Sequence, residues 1–163
     1  MSSLLYGQDA SIARWVALHI PHVGEAGFHS PVAAIGVVSD ETILAGVVFH
    51  DYQPDFGTMQ LSMAAVNPMW ARRENIAGLL AYPFIQLGVF KCWIACPSDG
   101  QHALDTWDHI GFKREAILAH QFGRKRHAIM MRMMKPDFYR LFGDIYPSSA
   151  HVSRRRENKE FVS

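Results

Sequence analysis

Few side chains in this sequence are built to accept a proton at neutral pH. His50 is one: with an ordinary pKa of about 6.5, a histidine can take the proton of an attacking nucleophile. It ends an apolar run with Asp51 beside it. Ser62 lies in the next apolar run, where its hydroxyl can orient a water or polarise a substrate. His50, Asp51 and Ser62 are therefore the catalytic candidates. A second set, Trp70-Ala71-Arg72-Arg73-Glu74-Asn75, stands directly before a helical apolar stripe. Backbone N–H groups at a helix start attract phosphate, and two guanidiniums would add charge-assisted contacts. Glu74 suits the positive end of the same helix.

The remaining reactive residue types point less sharply. His19, His22 and His29 crowd the first loop without a carboxylate or cysteine at ligand spacing, so no metal site is expected. His120 and His127 flank a late turn and face either a cleft or solvent. Cys92 and Cys96 share a strand face but lie roughly 13 Å apart, too far for a disulfide. They are expected to be small core residues in a reducing compartment.

Composition bounds the rest. A chain of 163 residues with 49% hydrophobic and 19% charged residues suits one globular domain, residues 1–146, with a polar tail over 147–163. A net charge of +1 gives no general electrostatic case for nucleic acid or an anionic membrane, although local basic patches remain open. The start, MSSLLYGQDAS, lacks a basic, apolar leader, and no apolar stretch reaches membrane length. A cytoplasmic protein is expected.

The elements that must position these residues follow from periodicity. A short strand near Leu4 precedes a helix capped by Asp9, with Ile12, Trp15, Val16, Leu18 and Ile20 inward, stopped by Pro21. Residues 32–38, 42–51 and 58–66 read as an antiparallel meander. Asn67-Pro68 marks a helix start, and Ile76, Leu79, Leu80, Phe84 and Leu87 form its stripe, ending at Gly88. Residues 89–96 read as a strand buried on both faces. A helix over 100–109, a hairpin of 115–122 with 127–134, and a short helix over 136–145 complete the order. A crossover between 58–66 and 89–96 makes those strands parallel if they are neighbours.

Several segments together resemble the Gcn5-related N-acetyltransferases, especially their ribosomal-protein N-terminal branch. Val66-Asn67-Pro68-Met69-Trp70 looks like the end of the family's fourth strand and its P-x-W turn. LLAYPFIQLGVFK (79–91) looks like its following helix and strand, and IGFKREA (110–116) is close to its LGFKxEG stretch. GRKRHAIM (123–130) resembles its last hairpin. The likeness covers about residues 32–137. It implies an α/β acyl-CoA N-acyltransferase fold: a mixed sheet of six to seven strands, antiparallel in its first half, parallel at strands 4 and 5, with helices on both faces.

The same resemblance implies acetyl-CoA as cosubstrate and no metal, with an acetyl group moved to a primary amine by direct attack on the thioester. Cofactor contacts then fall on Met63, Ala64, Ala65 and Val66, whose N–H groups polarise the thioester, and on Trp70, Ala71, Arg72, Arg73, Glu74, Asn75 and Trp107. The first loop, with its histidines, would shape the acceptor pocket. Three departures stand out. Residues 70–76 contain no glycine, where the family's phosphate loop has several. Ser98-Asp99-Gly100 replaces a usual asparagine. Trp107 occupies the place of a tyrosine acid, and an indole N–H is no usable acid, so that role is lost or moved. Protein, peptide, small-molecule and nucleobase amines stay open as acceptors, as do a homodimer, a phage origin and a non-catalytic coenzyme A binder.

Overall fold

The computed structural model describes residues 1–148; most of the expected tail, including Arg154-Arg155-Arg156, lies outside the described residues. The strands are β1 (Ser3–Leu5), β2 (Pro31–Ser39), β3 (Thr42–Gln53), β4 (Thr58–Ala65), β5 (Lys91–Pro97), β6 (Lys113–Leu118) and β7 (Ala128–Met134). The helices are α1 (Asp9–His19), α2 (Arg73–Ala81), α3 (Gln101–Ile110) and α4 (Lys135–Phe142). One seven-stranded sheet runs in the order β1-β2-β3-β4-β5-β7-β6. Every neighbouring pair is antiparallel except β4 and β5, which are parallel, as the crossover requires.

Two apolar layers hold it. On one face α1 sets Ile12 and Val16 against Ala34, Val48 and Ala64. On the other, α2, α3 and α4, the last through Phe138, close over Phe49, Met59, Leu61, Phe84 and Phe112. Residues 44–50 of β3 lie under both layers and are buried without interruption. On β5, Cys92, Ile94 and Cys96 are buried while Lys91, Trp93 and Ala95 are only half-buried, so this strand is not covered on both faces as expected. The reason is that α1 packs on β2, β3 and β4 and leaves the β5 end of its face open. Both cysteines are free and buried, and desolvation pushes the Cys92 thiol far above its ordinary range.

Local chemistry moved several boundaries. Asp9 does not cap α1; it is the first helical residue, and its carboxylate accepts the Ala34 N–H at 3.0 Å, tying α1 to β2. Ala17 is buried and Leu18 exposed, a shift of the inward stripe by one position. Asn67 caps a 3-10 turn over Pro68–Trp70, accepting the Met69 N–H at 2.9 Å, and α2 begins only at Arg73. Pro83 has no N–H to donate within the helix, and the chain widens into a π turn over Tyr82–Gln86. β6 stops at Leu118, because His120, Gly123 and Lys125 adopt φ of 57°, 114° and 62°, incompatible with a ladder.

The seating of α1 depends on an absent side chain. A Cβ on Gly46 would stand 2.7 Å from Val16 Cγ2 and 3.1 Å from Ile12 Cγ2. Gly46→Ala should therefore lower stability by about 1–3 kcal/mol through overpacking, read as a lower midpoint in denaturant unfolding. An unchanged midpoint would mean that α1 slides outward at no cost.

Candidate active site

The sheet opens in the middle. β4 and β5 pair only at Thr58↔Lys91, Met59↔Cys92 and Gln60↔Trp93, yet continue to Ala65 and Pro97. Beyond Gln60 they diverge into a wedge. The hydrogen bonds on the outer edges show which backbone groups face it. Val66 N–H donates to the Leu44 carbonyl (2.9 Å), and antiparallel alternation then sends the N–H groups of Ser62 and Ala64 to β3 as well. Those of Met63 and Ala65 point into the wedge. Of the four residues expected to offer N–H donors, Ala64 and Val66 are thus engaged with β3, and Met63 and Ala65 are not. Across the gap, Ser98 N–H donates to the His127 carbonyl (2.9 Å), so Pro97 turns its nitrogen toward the wedge. A proline there costs no ladder bond.

The helix side of the wedge is narrow. Trp70 and Trp107 are buried, and Trp107 packs edge-on against Phe112 with ring centroids 4.9 Å apart. Together with Leu61 and Met63 they line an apolar cavity of only about 20 Å³, no larger than a water. Trp107 serves here as a wall.

The α1 side holds the titratable group. His50 of β3 is only 7% exposed, under the ring of Phe28 at 5.1 Å between centroids. Its Nδ1 lies 3.1 Å from Asp51 Oδ2 and its Nε2 lies 2.8 Å from Ser62 Oγ. The carboxylate only accepts, so Nδ1 carries the proton and Nε2 receives the Ser62 hydroxyl. Adjacent strand residues normally face opposite ways. A bulge between His50 and Gln53, with Asp51 at φ 51°, breaks that alternation and turns the carboxylate back onto its neighbour. Burial lowers the His50 pKa below the ordinary value, and the bond and charge of Asp51 partly restore it. The imidazole is therefore neutral at pH 7, the form a base needs.

At the start of α2 the first intrahelical bond runs from Ile76 N–H to the Arg72 carbonyl, leaving the N–H groups of Arg73, Glu74 and Asn75 directed outward. Arg72 is exposed and free of ion pairs among the described residues. Arg73, expected at a phosphate, is committed elsewhere: its guanidinium donates to both Asp144 oxygens (2.8 and 2.6 Å) and to the Leu141 carbonyl (2.7 Å), over the Phe142 ring. Asn75 is buried, with its amide bound to Ser2 Oγ and the Trp70 carbonyl, and it fixes the turn from within. Ala71 and Glu74 are exposed at this corner.

The other histidines organise loops. His120 Nδ1 accepts the Lys125 N–H at 2.8 Å, and His127 Nδ1 accepts the His120 N–H at 3.0 Å, so the pair shapes the 119–127 turn. His22 stacks on Phe122 at 4.2 Å. No group of metal-binding side chains assembles among the described residues. No helix there is long and apolar enough to cross a membrane.

No protein-family model and no curated protein matches this sequence. Solved structures do. A spermidine/spermine N-acetyltransferase from Vibrio cholerae, in complex with manganese ions, superposes with a TM-score of 0.64 over 85% of this chain and 95% of its own, at 12% identity. A chimera of a Vibrio cholerae spermidine N-acetyltransferase gives 0.65 over 84% and 97%, at 14% identity. Another chimera of that enzyme gives 0.56 over 65% and 68%, at 17% identity. The fold is that of the Gcn5-related N-acetyltransferases. The wedge thus offers two free N–H donors, and the start of α2 offers outward N–H groups of the kind that attract anions, without loop glycines.

Two outcomes follow from the geometry. Arg72→Ala should weaken acetyl-CoA binding with little change in melting temperature, whereas Arg73→Ala should lower the melting temperature through loss of Asp144; titration calorimetry and thermal melts separate them, and the reverse pattern would reassign both arginines. Asp51→Asn removes the group that raises the His50 pKa. The His50 resonance should then titrate at lower pH than in the parent protein, and a shift upward would show that Asp51 does not govern it.

Proposed function

We propose that this protein transfers an acetyl group from acetyl-CoA to a primary amine by direct attack of the amine on the thioester. The observation that carries this reading is the juxtaposition of the free Met63 and Ala65 N–H groups with the His50–Ser62 pair on the α1 side of the same strands. Met63 and Ala65 would hold the oxyanion as the carbonyl turns tetrahedral. Ser62 would receive the amine proton and pass its own to His50 Nε2. Asp51 would stabilise the imidazolium, much as a carboxylate orients any catalytic histidine. Arg72 and the α2 N–H groups would hold the pyrophosphate.

Trp107 supplies no acid, so the leaving group departs as a thiolate, a modest demand given an ordinary thiol pKa of about 8.5. That same indole, with the glycine-free stretch 70–76, favours the second reading, a coenzyme A binder without catalysis. Motifs alone support the ribosomal-protein branch, and only the chain's size and the style of its N-terminus support a phage origin; the solved structures named above are spermidine acetyltransferases. The cytoplasmic setting belongs to the same proposal.

Calorimetric titration with acetyl-CoA tests both cofactor readings at once, and absence of heat removes them. Thiol release across an amine panel then separates enzyme from binder. His50→Ala should cut turnover by about 100-fold or more while leaving acetyl-CoA affinity unchanged. Full turnover in that variant would move the base elsewhere.

A further inference from the structure

We infer that the acceptor is an amine carried on an acidic peptide, selected by the basic tip Arg124-Lys125-Arg126; this rests on the acetyltransferase reading above.

The route into the site is the first premise. The helix side of the wedge is narrowed by Trp70 and Trp107, and the Ser62 hydroxyl faces the other way, toward His50, so an acceptor reaches it from the α1 side. Two loops meet over that side. The one following α1 lays Phe28 on His50 and His22 on Phe122. The other, 119–127, is anchored to the end of β5 by the Ser98–His127 backbone bond. An acceptor passing beneath their junction meets whatever charge both loops carry.

That charge is divided. Asp51 lies at the inner end against His50, while the neighbouring groove along α1 and Phe28 carries Glu25 and Arg14, of opposite sign. At the outer end Arg124, Lys125 and Arg126 are all exposed, and none has an ion-pair partner among the described residues. The tip is held in shape by the His120 and His127 bonds, so little ordering is required when a ligand arrives. An amine fits the end that holds Asp51, and carboxylates further along the same ligand fit the tip. A polyamine would instead bring a second cation against three others, a like-charge juxtaposition that disfavours it. Nucleic acid fits less well. The tip is three residues long, the chain's net charge is only +1, and the Phe122 ring that might stack on a base is occupied by His22.

The test uses the full chain, acetyl-CoA and thiol release. Peptides with one free N-terminal amine and acidic, neutral or basic residues behind it are compared with spermidine. We expect kcat/KM for the acidic peptide to exceed that for the basic one by about 10-fold or more, and the gap to shrink as salt rises. R124E/K125E/R126E should invert the preference, and R124S/K125S/R126S should abolish its salt dependence. Better turnover of spermidine or the basic peptide would overturn the inference while leaving the acetyltransferase reading intact. So would a single-stranded oligonucleotide that displaces the acidic peptide more effectively than the peptide displaces itself. If no acceptor turns over, the acetyltransferase reading fails, and titration of the peptides into coenzyme A-loaded protein decides the acceptor: equal affinities overturn it, acidic preference sustains it as a binding site.

Discussion

Three register pairs hold β4 to β5, and everything of chemical interest lies where the pairing stops. A sheet normally satisfies both edges of an inner strand. Here β4 keeps its bonds to β3 and β5 keeps its bonds to β7, while the edges facing each other are left open beyond Gln60 and Trp93. The two intact ladders make the gap rigid. The three-helix layer covers it on one side and α1 braces its β4 edge on the other, so open donors persist in the middle of an otherwise saturated sheet. A ligand arriving there finds dipoles already oriented and owes nothing for their alignment.

The same arrangement explains why a buried histidine is tolerable. Desolvation penalises a charged imidazole. His50 meets this by remaining neutral, with both ring nitrogens bonded. The bulge at Asp51 is the local cost of that satisfaction, since a regular strand would point the carboxylate away. Backbone strain and the His50–Asp51 contact thus coincide at one position.

Much of this was legible in the residues. The strand–helix–strand order between 58 and 96 dictated parallel neighbours, and the meander before it dictated antiparallel ones. Pro97 at the end of an apolar strand is a readable sign of an unpaired edge. The His50–Ser62 contact was not legible, because residues 12 apart meet only once the β3–β4 register is fixed, and the bulge shifts that register by one. Nor was the fate of Arg73. A basic pair before a helix looks alike whether it faces phosphate or protein, and nothing in the local pattern announces Asp144. The β5 burial was misjudged for a related reason: periodicity describes a strand, whereas exposure depends on how far a distant helix extends.

Cys92 adds one consequence. It sits opposite Met59 in the last pairs before the strands part, fully buried and with a thiol that ionises reluctantly. An alkylating reagent can reach it only when the core packed over it opens. The protein therefore carries its own clock: the speed at which Cys92 is labelled counts the openings of the core beneath the wedge, and any ligand that steadies that core will slow it.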